Sequence, residues 1–162
     1  MKKIPEEEIH KQLGDYHAPK GLYSITKDMP FLGKVSCNIE SMVAGSWQEI
    51  VIDYELGASG MADGSWFKAT FRFYSDWALF QTSEPTAANY VSAEYHAAPT
   101  IPGQSPATVQ KLTVRFDQKG HERPFQKAII VDTFDGYLKA GDHIVIRLGD
   151  RRFGGAGTRV QT

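Results

Sequence analysis

Beyond residue 33 the chain alternates apolar and polar side chains with a period of two, the signature of strands with one face in a core. Val35, Cys37 and Ile39 are alternate apolar positions, and in residues 47–56 Ile50, Ile52, Tyr54 and Leu56 fall on one face with Glu49, Asp53 and Glu55 on the other. Residues 66–74 repeat the pattern, with Phe67, Ala69, Phe71 and Phe73 opposing Trp66, Lys68, Thr70 and Arg72. Residues 90–95, 108–116, 126–133 and 143–148 are further strands, in which Leu112, Val114 and Phe116 alternate strictly while AIIVD is a continuous apolar run.

Between these segments lie GASGMADGS, AAPTIPGQSP, DQKGHERP, FDGYLKAGD and GDRRFGGAG, each rich in residues that favour turns. Helix-period patterns of useful length are absent. The pattern predicts an all-β fold, an antiparallel β-sandwich of jelly-roll-like kind with about seven or eight short strands. Residues 1–33 are irregular, punctuated by Gly14, Pro19, Gly21, Pro30 and Gly33, with a short helical turn over residues 5–13. They read as an N-terminal arm on a sandwich domain of residues 34–162.

Length and charge narrow the function classes. A chain of 162 residues buries about 70% of its unfolded surface, enough for a core without staples. Eighteen basic residues against nineteen acidic ones leave a net charge of -1, so no overall field favours nucleic acid or an anionic membrane. The one cysteine, Cys37, excludes an internal disulfide and a multi-thiolate metal site, and is expected as a small buried hydrophobe. The start lacks the apolar core of a secretory signal, and no run approaches the ~20 apolar residues of a membrane helix. A cytoplasmic chain is the expectation.

Catalytic motifs are missing. There is no HExxH, no H-x-H and no GxSxG, so neither a three-ligand zinc site nor an activated serine is signalled. His17 and His121 are the nearest approach to metal ligands, and they read more simply as solvated loop histidines. Asp53 and Glu55 could form a carboxylate pair, although the outer face of a strand explains them as well. No catalytic residue, metal or cofactor is expected.

Two features suggest binding. Arg147, Arg151, Arg152 and Arg159 surround a glycine-rich segment, where guanidiniums could hold a small anion or pair with Asp142 and Asp150 to fix the loop. Trp47, Trp66, Trp77, Tyr74 and Tyr90 are candidates for a carbohydrate platform, and Trp66 lies on the polar side of its strand.

The runs GSWFKATFRFYSDWALFQTSEPTAANYVS, FDQKGHERPFQKAIIVDTFDGYLKAGDHIVIRLGD and GGAGTRVQT carry spaced elements in a fixed order. These are Ser75-Asp76-Trp77, Pro85, Asn89-Tyr90-Val91, Arg123-Pro124, Lys127-Ala128, Asp132, Asp135-Gly136, Gly141-Asp142 and Gly154-Gly155. Over about residues 42 to 162 the chain resembles the N-terminal β-sandwich region of a large uncharacterised bacterial family. The downstream portion of that family is similar to metal-dependent hydrolases of the polymerase-and-histidinol-phosphatase kind.

The resemblance implies a non-catalytic accessory domain that packs on, or positions substrate for, such a hydrolase. It implies Arg123, Asp132 and Asp135 as organisers of strand ends. A stand-alone binding module for carbohydrate or a small anion, with Trp66, Trp77, Arg147, Arg151, Arg152 and Arg159 as contacts, is the alternative. An independent hydrolase using acidic and histidine residues is a third reading. The expected partners are a downstream domain of the same protein or a second copy of the chain, with neither nucleic acid nor membrane among them.

Overall fold

The computed structural model describes residues 33–57, 60–72, 76–77, 79–99, 111–118 and 125–162. Among the described residues nine strands follow one another in chain order: β1 (Lys34–Cys37), β2 (Trp47–Gln48), β3 (Ile50–Glu55), β4 (Trp66–Arg72), β5 (Val91–His96), β6 (Lys111–Asp117), β7 (Phe125–Phe134), β8 (His143–Leu148) and β9 (Thr158–Arg159). All pairings between strands are antiparallel. One sheet has the order β1-β3-β8-β5, a second β4-β7-β6, and β2 pairs with β9 alone. Among the described strands the chain changes sheet at every step from β3 to β6, and only β6 and β7 are sequential neighbours in one sheet, a jelly-roll-like path. The described residues contain no helix, and none therefore long and apolar enough to cross a membrane.

The period-two pattern builds the core. Ile50, Ile52 and Tyr54 on β3, Ile144, Ile146 and Leu148 on β8, and Val91, Ala93 and Tyr95 on β5 face Phe67, Ala69 and Phe71 on β4, Ile129 and Val131 on β7, and Leu112, Val114 and Phe116 on β6. Tyr54 stacks on Phe67 across the two sheets at 4.7 Å between ring centroids, and Phe80 fills one end against Phe71 and Phe116. Dense interdigitation of this kind makes burial effective. The continuous apolar run is explained by position. β7 is the middle strand of its sheet, and outward-facing Ile130, buried, stands directly between Lys68 on β4 and Arg115 on β6, residue types whose aliphatic stems cover apolar neighbours.

Four expectations need correction. Residues 47–56 are not one strand: Gln48 pairs with Thr158 while Ile50 pairs with Leu148, so the chain changes partners at Glu49. Cys37 is exposed, because β1 is an edge strand whose four residues all face solvent. Two-residue β2 and β9 had no periodicity to announce them, and β9 follows directly on the glycine-rich segment GDRRFGGAG expected as loop. The strand expected over residues 90–95 is shifted by one to β5, with Tyr90 in an isolated bridge to Gln81. Apart from Gly33, the N-terminal arm lies outside the described residues, as do His17, Tyr74, His121 and Arg123.

Candidate functional site

The arginine-rich segment forms a closed network. Gly149 takes a left-handed φ of 69° and turns the chain out of β8. A Cβ there would strike the Thr158 amide and the Gly157 carbonyl carbon, so glycine is required. Asp150 comes next, with a fully buried side chain. Its carboxylate accepts from the Arg152 guanidinium at 2.8 Å, from the Arg152 amide at 3.0 Å and from Ser92 Oγ at 2.6 Å. Burial alone would raise this carboxyl, but the hydrogen bonds of Arg152 and Ser92 and the Arg152 charge hold it at about 2.

The second Arg152 nitrogen donates to Glu94 at 2.7 Å, and Arg147 reaches Glu94 at 3.3 Å and Glu49 at 3.7 Å. Burial pushes Glu94 upward, yet Arg152 and Arg147 bring it below its ordinary value. Arg151 donates to the backbone oxygens of Trp47 at 2.8 Å and Ala156 at 3.0 Å, fastening the loop to β2. Arg159 is exposed on β9, and its charge adds to hydrogen bonds from Thr162 that lower the carboxyl of Asp76.

Two guanidiniums, of Arg147 and Arg152, thus face the three carboxylates of Asp150, Glu94 and Glu49, and the charge of these two arginines is paired inside the protein. Asp142, expected as an arginine partner, instead accepts the amides of Ala98 at 2.7 Å and Lys139 at 2.9 Å.

The outer face of the three-stranded sheet is different. Trp66 is 55% exposed on β4, directly opposite Asp132 on β7, which is in turn opposite Thr113 on β6. The Arg115 guanidinium donates to both oxygens of Asp132, at 2.8 and 3.2 Å, and this hydrogen bonding raises the already high pKa of Arg115 against a desolvation that would lower it. Lys68 places its ammonium 4.4 Å from the Trp66 ring centroid. Phe134, two residues beyond Asp132 on the same face, is 48% exposed. Indole, carboxylate, guanidinium and hydroxyl therefore share one flat surface, each fixed by a strand.

The row does not stop at Thr113. β5 and β6 are edges of their sheets, and between them opens a cleft of about 350 Å³ lined by Thr82, Tyr90, Val91, Ser92, Ala93, Leu112, Thr113 and Val114. Its lining residues are uncharged; Thr82, Tyr90 and Thr113 carry hydroxyls, and the hydroxyl of Ser92 is already bonded to Asp150. Thr113 belongs to both the row and the cleft.

The other candidates fall elsewhere. Trp77, expected as a contact, packs into the core beside Phe71 and Phe80. Trp47 is exposed on β2, far in sequence from the Trp66 face. Asp53 and Glu55 face outward, and Asp53 meets His143 Nδ1 at 2.7 Å. Asp135 adopts a φ of 56° in the turn after β7, where its amide donates to Asp63 at 2.9 Å. Among the described residues no three His, Cys, Asp or Glu side chains converge as a metal-binding group.

Sequence reasoning missed Arg115, Thr113 and Phe134. The first two occupied legible outward positions of an alternating strand, but nothing local announced Asp132 as their neighbour. Compared with known proteins, the chain matches no family model, no curated protein and no solved structure.

Proposed function

We propose that this chain is a non-catalytic accessory β-sandwich that binds a neutral oligosaccharide across the Trp66–Asp132–Thr113 row and into the cleft between β5 and β6. The observation that carries this reading is the continuity of an exposed indole with fixed hydrogen-bonding groups and an uncharged, hydroxyl-lined cleft. A sugar ring has an apolar face of C–H groups and a rim of hydroxyls. The first suits the indole, and the second suits Asp132, Arg115 and the threonine hydroxyls.

Arg115 and Asp132 neutralise each other at the centre of the face, which suits a neutral ligand there. Adjacent strands are about 4.8 Å apart, so Trp66 to Thr113 spans roughly 10 Å and calls for more than a single sugar. The role that the family resemblance implies, positioning substrate for a metal-dependent hydrolase-like region, needs a binding face of this kind.

A glycan array of neutral oligosaccharides probed with the intact chain and with Trp66→Ala tests the binding. Retention of specific glycans that the variant loses supports the reading. Empty arrays with a folded protein, or glycan binding that survives Trp66→Ala, would overturn it. Joined to the hydrolase-like region, Trp66→Ala should weaken turnover of a polymeric substrate and spare that of a small soluble one.

A further inference from the structure

The outer face of the four-stranded sheet holds a second cluster, remote from Trp66 in the fold. His96 on β5 and His143 on β8 are directly opposed, so both imidazoles leave the same face from Cα atoms roughly 4.5–5.5 Å apart. Val145, also outward on β8, is opposed by Asp53 on one side and Glu94 on the other, and it is only 4% exposed beneath this polar ring.

The two histidines are held differently. His143 Nδ1 lies 2.7 Å from Asp53 Oδ1, and with Asp53 ionised that contact places the ring proton on Nδ1. The lone pair is then on Nε2. His96 has a looser 3.5 Å contact with Glu94, whose oxygens are already engaged by Arg147 and Arg152.

We propose that His96 and His143 form a two-imidazole site for a borderline transition-metal ion such as Zn²⁺ or Ni²⁺. Imidazole nitrogens bind such ions at about 2.0–2.1 Å, so two donors on one ion stand roughly 3 Å apart, a spacing opposed side chains on neighbouring strands reach. Asp53 supplies the carboxylate that fixes the tautomer and orientation of a ligating imidazole. The protein contributes two nitrogens, and water or an external ligand completes the shell. Softness of the donors favours Zn²⁺, Ni²⁺ or Cu²⁺ over Mg²⁺ and Ca²⁺.

Isothermal titration of the untagged chain with ZnCl₂ and with NiCl₂ tests the site. Saturable binding at one ion per chain is expected. His96→Ala, His143→Ala and His143→Gln should each lower affinity by about tenfold or more, and Asp53→Asn by about 10–100-fold. A variant lacking His10, His17 and His121 should bind as the parent does. Both site histidines are substantially exposed, and cooperative thermal unfolding of each variant controls for folding. Absence of saturable binding would overturn the proposal. So would binding that the triple variant loses and the His96 and His143 variants keep.

Discussion

Replacing Arg152 by methionine should destabilise the protein through a residue that it leaves untouched, Asp150. The guanidinium provides Asp150 with its opposite charge and with donors at 2.8, 3.0 and 3.2 Å. Stripping one partner from a buried ion pair costs about 3–5 kcal/mol, because the remaining charge stays out of water. Here Ser92 Oγ and the backbone amide of residue 152 continue to donate, and Glu94 keeps Arg147, so the lower end, about 3 kcal/mol, applies. For a chain of this length that corresponds to a fall in Tm of roughly 6–12 °C.

The sign of the pH dependence is a sharper test. In the parent the Asp150 carboxyl is lowered from 3.8 to about 2. It therefore contributes about 2 kcal/mol above pH 3.8, lost as pH falls toward 2. In Arg152→Met burial acts against the charge with no cation opposing it, and the carboxyl rises above its unfolded value. The variant should then gain stability as pH falls from 7 toward 4, where protonation relieves the buried charge, while the parent gains nothing from Asp150 over that range. Urea unfolding of both proteins at pH 7 and pH 4.5 measures this. A loss under 1 kcal/mol at pH 7, or stability differences that do not change with pH, would refute the reasoning.

Two further substitutions test the packing. Thr133 Oγ1 is buried without a hydrogen-bond partner among the described residues, so Thr133→Val, which keeps the branched shape, should stabilise by about 1 kcal/mol and raise Tm by about 2–4 °C; an unchanged or lower Tm would show that the hydroxyl is satisfied. Gly149→Ala combines a φ of 69° with a collision against the β9 backbone and should cost at least about 2 kcal/mol, and a thermal melt coincident with the parent would contradict the tight approach of the loop to β9.

Much of the fold was legible because the alternation was strict. β8 begins and ends where its pattern does, and Ile50, Ile52, Tyr54 and Leu56 turn inward as their spacing requires. Cys37 misled because alternation reports a face and not whether anything covers it. The two-residue strands escaped because two residues cannot show a period. At the candidate site Trp66 could be singled out by its place among Lys68 and Thr70, whereas its neighbours are set by register between strands far apart in sequence. Arg115 and Asp132 are 17 residues apart, and Arg152 and Glu94 are 58. The same limit hid the opposition of His96 and His143, and it let Asp142 pass as an arginine partner.

The binding face is tested most directly by titrating ¹⁵N-labelled protein with the best neutral oligosaccharide from the array and following the Trp66 indole and the amides of Thr113 and Asp132. The account predicts saturable shifts confined to this row and to Ser92 and Ala93 in the cleft, absent in Trp66→Ala. Shifts centred on the arginine loop, or none at any concentration, would contradict it.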